Sequence, residues 1–239
     1  MFSKTILSAL VAAAIVSAHG KVAVVTGDLG GNGTALGIKG GVVPGPGPNY
    51  ETEVDTTVFW SKEIATDDDI GYIEDGSGNN QLSDLTQAMA LSGSTLPQVS
   101  SGGNVKGTFH IVTSDGAGPL QALVDQSATG KWSTAKSATV STQVPGTNGN
   151  VVTKRSLWSR ALIKMGLITA RATNVNEDHA FAVDIPSGTS CAGAINGISN
   201  LCLVKVSNNN ANGPFGGVFA VQMSSSTTAR AKRSTKFTS

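Results

Sequence analysis

Short apolar runs, separated by glycine, proline, asparagine and aspartate, dominate the hydrophobic pattern of this chain. Runs of this length, rich in Val, Phe and Ile, are typical of β-strands. The segments that fit are 21–26, 105–113, 179–185, 201–207 and 217–223. Helical spacing of apolar residues occurs at 84–91 and 155–167, which predicts two short helices.

Long tracts of turn-forming residues join these segments, at 27–49, 74–80 and 144–150. Short strands with such connections and few helices favour a mainly β fold. We expect an antiparallel β-sandwich with long Gly/Pro-rich loops and one or two short helices. The sequence shows no repeating period, which excludes a solenoid or a propeller.

Both ends of the chain differ from its middle. Residues 1–18 combine one lysine, an apolar run and a small-residue cleavage site, which predicts a secretory signal peptide; the alternative is a buried N-terminal helix or strand. That run is about half the roughly 20 residues that cross a bilayer, and no later segment predicts a membrane span. Residues 224–239 are basic and rich in Ser and Thr, which predicts a disordered tail. We therefore expect a secreted, extracellular protein with a single β-sandwich domain over 19–223.

Composition and charge exclude several classes of protein. Charged residues make up 14% of the chain, beside 29 glycines and 8 prolines, which argues against a helical bundle. The net charge is +1, and 19–223 alone is mildly acidic, so no nucleic-acid partner is expected. The sequence lacks H-E-x-x-H, C-x-x-C and Walker A motifs. Acidic clusters at 51–55, 67–69 and 74–75 are more typical of solvated loops than of paired glycosidase carboxylates.

Two cysteines, Cys191 and Cys202, suit an oxidising compartment. A disulfide between them would close a short loop. The sequence Asn32-Gly33-Thr34 is an N-glycosylation sequon in a predicted loop, which makes Asn32 a candidate glycosylation site.

Histidines are few, and two of them suggest a metal site. Cleavage after Ala18 would make His19 the first residue, with both a ring nitrogen and an α-amine to offer a cation. One further imidazole would complete a planar three-nitrogen set suited to Cu(II). His110, inside the predicted strand 105–113, is the natural second imidazole. The alternative for His19 is that a histidine follows the cleavage site by chance, and the alternative for His110 is a hydrogen-bonded structural histidine. The sequence thus predicts one copper ion held by His19 and His110.

Several stretches resemble one family of secreted fungal proteins. The sequence HIVTSDGAGP at 110–119 is similar to the H-x-V-x-x-D-G-A-G-P element of the appressorium-associated virulence factors of the powdery-mildew Egh and rice-blast MAS type. The other matches, in the expected order, are His19-Gly20 followed by TGDLGGNG, PSGTSC at 186–191, CLVKV at 202–206 and NGPFGG at 212–217. The resemblance covers nearly the whole chain after residue 18 and implies an infection-stage protein.

That family is similar, at its N-terminus and in its GPFGG-type elements, to fungal lytic polysaccharide monooxygenases. Those enzymes are immunoglobulin-like β-sandwiches that hold copper in a histidine brace. The resemblance implies the same fold here, with His19 and His110 as the brace. His179, which begins a predicted strand, would then orient bound oxygen or peroxide, unless it is a structural histidine. Residues considered for the axial copper position, none of them assigned, are Tyr50, Tyr72, Phe215 and Phe219.

Two functions of different class follow from these observations. In the first, the protein oxidises cell-wall polysaccharide as a copper-dependent monooxygenase. In the second, the same fold is a non-catalytic effector, or a carbohydrate- or copper-binding module that acts at a host surface. Three tryptophans, Trp60, Trp132 and Trp158, are too few for broad binding to crystalline polysaccharide. Oxidised oligosaccharides should form in the presence of a reductant only if the first function is correct. We expect the protein to be a monomer.

Overall fold

The structure, a computed structural model, describes four stretches of the chain: residues 20–39, 55–73, 78–152 and 176–223. Several predicted features lie outside these stretches: the signal peptide 1–18, His19, Tyr50, the helix 155–167, Trp158 and the tail 224–239.

Thirteen β-strands form the framework of the described chain. They are β1 (Gly20–Gly27), β2 (Gly30–Gly33), β3 (Thr57–Val58), β4 (Tyr72–Ile73), β5 (Gly78–Asn79), β6 (Gln98–Val99), β7 (Asn104–Ile111), β8 (Gln121–Asp125), β9 (Lys136–Thr142), β10 (Glu177–Asp184), β11 (Gly193–Ile195), β12 (Ile198–Ser207) and β13 (Phe215–Met223). All five predicted strands are present, as β1, β7, β10, β12 and β13. The prediction of a mainly β protein is therefore confirmed.

Helix is scarce in the described stretches. The predicted helix 84–91 is confirmed as α1 (Leu85–Ser92), which buries Leu85 and Ala88. It ends at Gly93, whose φ of 117° is open to glycine but not to most residues. Two single turns of 3₁₀-helix occur as well, at Leu82–Asp84 and Trp132–Thr134.

One continuous ladder connects most of the strands, in the order β2-β1-β7-β10-β9-β8-β12-β13-β3-β4-β5. Every neighbouring pair along this path is antiparallel, and only β6 pairs in parallel, with β13. Strand β9 bonds to β10 on one side and to β8 on the other. It therefore joins a first half of the sheet, which contains β7 and β10, to a second half, which contains β12 and β13.

The two halves face each other across the main hydrophobic core. Phe109 and Phe181 from the first half pack in one buried cluster with Val204 and Phe219 from the second. A second buried cluster lies on the other face of the second half, where it includes Leu203 of β12. Alternation along β12 explains this arrangement, because successive side chains of a strand point to opposite faces. The arrangement is compatible with the predicted sandwich.

The predicted disulfide is present between Cys191 and Cys202. Both residues belong to the main core cluster, and Cys202 is completely buried. The bridge therefore ties the middle of β12 to the loop before β11. In the described part of the chain, no helix is long and apolar enough to span a membrane.

Candidate functional site

His110 lies on the outer face of the first half of the sheet. Its neighbours on β7, Phe109 and Ile111, are fully buried in the main core. Because side chains alternate along a strand, His110 points away from that core. The β-ladder places it between Lys21 on β1 and Asp178 on β10. Only 5% of His110 is exposed, so the ring is held in place by its surroundings.

Both ring nitrogens of His110 have a polar neighbour. Its Nδ1 lies 2.7 Å from Asp178 Oδ1, and its Nε2 lies 3.1 Å from Asn176 Oδ1. The Asp178 carboxylate is an acceptor, so it fixes the tautomer that carries a proton on Nδ1. In that neutral tautomer Nε2 is an acceptor, and it bonds to Asn176 when the amide turns its NH₂ group inward.

This pattern is the one that metal-binding histidines use. Such a ring donates one N–H to a carboxylate and offers its other nitrogen to the cation. Here Asp178 is the carboxylate, and Nε2 of His110 is the nitrogen that a cation could use in place of Asn176. Sequence reasoning identified His110 but missed Asp178 and Asn176. The signal for them was the run Asn176-Glu-Asp-His179 at the start of a predicted strand.

The first described residue lies close to this site. Gly20 pairs with Ile111, one position along β7 from His110. A Cβ atom at Gly20 would lie 2.3 Å from the carbonyl oxygen of Gly116, so only glycine fits against the turn that follows β7. His19 is covalently bonded to Gly20 but lies outside the described residues. Within those residues, no three His, Cys, Asp or Glu side chains converge as a metal site.

His179 is not brought together with His110. In the ladder, His179 is opposite Phe109, whereas His110 is opposite Asp178. The two rings therefore lie on opposite faces of the sheet. The carboxylate of Glu177 lies on the same face as His179, with its Oε2 3.8 Å from Nε2 of the ring. This position gives His179 no direct path to a cation bound at His110.

Three of the aromatic residues considered for an axial position, Tyr72, Phe215 and Phe219, lie in the other half of the sheet. Phe219 is in the main core, and Phe215 packs with Val58 and Tyr72 in a small separate cluster. None of these three aromatic side chains lies on the face that carries His110. Tyr50 is outside the described residues, so the axial position has no candidate among the residues that the structure places.

The family-like elements after His110 and before β13 form one polar network. Asp115 accepts hydrogen bonds from Thr113 Oγ1 at 2.8 Å and from Asn212 Nδ2 at 3.2 Å. Asn208 is 1% exposed; its amide donates to the carbonyls of Asp115 and Ala117, and its oxygen accepts from Phe215 N. These residues hold the turn that follows β7 against the start of β13. Their role in the structure is to position backbone.

A buried ion pair lies on the outer face of the second half, far from the core side of β12. Lys205 is 1% exposed, and its Nζ lies 3.5 Å from Asp69 Oδ1. The ammonium also lies over the rings of Phe59 and Trp132, at 4.4 and 5.3 Å from their centroids. Burial lowers the pKa of Lys205, and the nearby Asp69 charge acts in the opposite direction. Burial likewise raises the pKa of Asp69.

Asp125 organises the turn that follows β8. Its two carboxylate oxygens accept hydrogen bonds from the backbone N–H groups of Ser127, Thr129 and Gly130 at 2.8–2.9 Å. The hydroxyl of Ser127 adds a further bond of 2.6 Å. Asp125 is 2% exposed, so these donors depend on it for their partners.

We expect Asp125→Asn to lower the free energy of unfolding by about 2 kcal/mol. The NH₂ group of the asparagine would replace one carboxylate oxygen and would face backbone N–H groups, which need an acceptor. Urea unfolding measures the loss. Ser127→Ala is the matched control, since it keeps the carboxylate and its three backbone donors, removes only the bonds of the hydroxyl to Asp125 and Thr129, and should cost about 1 kcal/mol or less. Equal losses in the two variants would contradict a central role for the Asp125 carboxylate.

The predicted glycosylation site is accessible. Asn32 is exposed on β2, where its Oδ1 accepts a hydrogen bond of 2.8 Å from Thr26 Oγ1. Thr34, the third residue of the sequon, is largely buried and donates to the carbonyl of Ala23. Glycosylation of Asn32 stays a prediction.

The described chain is thus a mainly β, antiparallel protein with an internal disulfide and a carboxylate-supported histidine on an outer face. Residues 17–216 match the Egh16-like virulence factor family, and the chain belongs to that family.

Two relatives come from the fungus Pyricularia oryzae. The chain is 33% identical over 237 residues to the appressoria-specific virulence factor GAS1, which covers 98% of this chain and 83% of GAS1. It is 33% identical over 137 residues to the appressoria-specific virulence factor GAS2, which covers 57% of this chain and 41% of GAS2. The family and these relatives support an infection-stage, virulence-related protein.

Proposed function

We propose that this protein is secreted during infection, binds one copper ion through His19 and His110, and uses it to oxidise cell-wall polysaccharide. The predicted signal peptide and the appressorial relatives support the secreted, infection-stage part of the proposal. The observation that carries the copper part is the contact of 2.7 Å between His110 Nδ1 and Asp178 Oδ1. With the proton held on Nδ1, Nε2 is the nitrogen that would bind copper in place of Asn176.

Each residue near His110 has a defined role in this proposal. Asp178 holds the proton on Nδ1 and fixes the angle of the ring. Gly20 pairs with Ile111 and allows the chain to lie close to the turn after β7. His19 would supply its α-amine and its ring nitrogen after cleavage of the signal peptide. Copper, when bound and reduced, would supply the activation of O₂ or peroxide.

Copper binding can be tested without any substrate. We expect the protein that begins at His19 to retain one copper ion in native mass spectrometry, and a protein with one extra N-terminal residue to lose it, because the extra residue removes the free amine. His110→Ala should abolish retention. Asp178→Asn should weaken it by roughly 10–100-fold, the usual effect of removing such a supporting partner.

His179→Ala is the matched control. It removes a histidine from the same pair of strands but from the opposite face, so copper retention should not change. Thermal unfolding of each variant without copper shows whether the fold is intact. Equal copper retention in the extended and the His19 proteins would overturn the brace.

The polysaccharide part of the proposal needs a separate measurement. Oxidised oligosaccharides should form from cell-wall glucan or chitin when a reductant is present, and their absence would favour the non-catalytic function. In that case the protein is a secreted effector or a carbohydrate- or copper-binding module of the same fold.

A further inference from the structure

Trp60 presents a large aromatic surface to solvent. Trp60 is 64% exposed, more than any other large hydrophobic residue in the described stretches. One face of the indole stacks on Tyr72, with ring centroids 4.4 Å apart and an angle of 29° between the planes. Tyr72 is itself held by packing against Val58 and Phe215. The other face of Trp60 is therefore a rigid, flat and apolar surface in water.

A polar cleft of about 250 Å³ lies beside this tryptophan. We call it the Trp60 cleft; its lining includes Trp60, Asp68, Asn79, Gln81 and Thr129. The four polar residues are exposed, so their side chains meet solvent in the cleft. The volume is below the roughly 300–1,000 Å³ typical of sites for drug-sized ligands. A single small ring with several polar groups is the size of ligand that fits.

The hydrogen-bonding groups of the cleft are both donors and acceptors. Asp68 is tied to Ser133, whose backbone N–H and hydroxyl lie 2.9–3.1 Å from its carboxylate. The backbone N–H of Ser133 lowers the pKa of Asp68, so this carboxylate is an ionised acceptor. The amide of Asn79 adds a donor and an acceptor. The second carboxylate oxygen of Asp69 is buried without a hydrogen-bond partner.

The charge of the cleft selects against anions. Asp68 and Asp69 both line it, and no described lining residue is a lysine or an arginine. The nearby Lys205 is buried and already engaged with Asp69. A ligand with its own carboxylate or sulfate would meet two carboxylates in the lining. The exposed Lys131, whose charge helps to lower the pKa of Asp68, lies outside the lining.

We propose that the Trp60 cleft binds one neutral pyranose ring of a glycan. A pyranose has an apolar C–H face that packs on an aromatic ring, and hydroxyl groups that pair with carboxylates and amides. The aromatic face and the polar rim occur side by side here. With a single exposed indole, the cleft holds one ring or a chain end.

The Trp60 cleft is independent of His110. It adjoins Ile70 and Leu82, which pack against the cluster on the outer face of the second half of the sheet. His110 lies on the outer face of the first half, on the far side of the main core. The cleft therefore binds its sugar whether or not His19 and His110 hold copper.

Isothermal titration calorimetry of the whole secreted protein in EDTA tests this site. The probes are laminarihexaose, cellohexaose and chitohexaose as neutral glycans, and trigalacturonate as the anionic one. We expect at least one neutral probe to bind and trigalacturonate to bind more weakly or not at all. Trp60→Ala should weaken binding by about tenfold or more, and Trp60→Tyr should retain most of it.

Leu91→Ala is the matched control, because Leu91 is 46% exposed and lies outside the cleft. It should leave binding unchanged. Binding that survives Trp60→Ala, the failure of all three neutral probes, or tighter binding of trigalacturonate would each overturn the assignment. EDTA removes copper from the experiment, so a negative result here is separate from failure of the copper proposal.

Discussion

Asp69→Asn is expected to lower the free energy of unfolding by roughly 3–5 kcal/mol, the usual loss when one partner of a buried ion pair is removed. Lys205 is the reason, because its ammonium is 1% exposed and has the Asp69 carboxylate as its charged partner at 3.5 Å. Without that carboxylate it keeps the carbonyl of Asp67 and two aromatic faces. Urea unfolding at neutral pH measures the loss.

The loss should also become smaller as the pH rises. Burial lowers the pKa of Lys205, so between that pKa and the ordinary value the unfolded chain binds more protons than the folded chain. Stability therefore rises with pH across this window. The charge of Asp69 raises the pKa of Lys205, so in Asp69→Asn the pKa of Lys205 is lower still. The pH range over which stability rises is then wider, and the total gain in stability with pH is larger than in the natural protein. A loss of equal size at pH 7 and pH 10 would contradict this explanation.

Lys205→Met is the matched control for this pair. Methionine fills a similar volume and makes favourable sulfur contacts with aromatic rings, here Phe59 and Trp132. It leaves Asp69, whose side chain is 21% exposed and can reach water. We expect a smaller loss than in Asp69→Asn, and recovery of most of the stability in the double variant. Additive losses would show that the two charges are not coupled.

Removal of the disulfide is expected to lower the free energy of unfolding by about 3 kcal/mol. The bridge joins Cys191 and Cys202, which are 11 positions apart, and the chain-entropy model gives about that value for a loop of this size. The variant is Cys191→Ala with Cys202→Ala. For a chain of this length the loss corresponds to a melting temperature lower by roughly 6–12 °C.

Dithiothreitol provides the control for the disulfide. It should lower the melting temperature of the natural protein toward that of the double variant and leave the double variant unchanged. A reductant effect of the same size on both proteins would mean that the bridge is not the source of the difference.

The five longest strands, which all bury apolar residues, were predictable from the sequence. The shorter strands were missed, including β8, four of whose five residues are buried. The five predicted strands all place alternate apolar residues in the core. Strand β9 has the sequence KSATVST and no buried residue, although it pairs on both sides. Strand β2 has the sequence GGNG, which offers almost no side chain to a hydrophobic pattern. Only Ala138 and Val140 of β9 pack against the main core, and both are only partly buried. Both strands therefore depend mainly on backbone pairing, which a pattern of side chains does not report.

The candidate metal site was predictable only in part, for a similar reason. A histidine in a strand-like segment identified His110. Whether Asp178 or His179 faces that ring depends on the register of β7 against β10, and a shift of one residue would exchange them. Local sequence does not fix that register.

The acidic cluster 67–69 shows the same limit. Its sequence is typical of a solvated loop, and Asp68 is indeed exposed. Asp69 instead pairs with Lys205, which is distant in sequence. Lys205 is the only charged residue in the apolar run CLVKV at 202–206. The Trp60 cleft likewise combines four separate segments, so no local motif could indicate it.

The placement of His110 and the Trp60 cleft on opposite outer faces has a consequence for how the protein would engage a wall. A molecule tethered to one glycan chain through Trp60 would turn its histidine face toward a different chain. Any oxidative scission would then fall on a neighbouring polymer, while the tethering polymer remained intact. If both the copper site and the glycan site that we propose are present, the protein would bridge two wall polymers, with its sheet as the spacer.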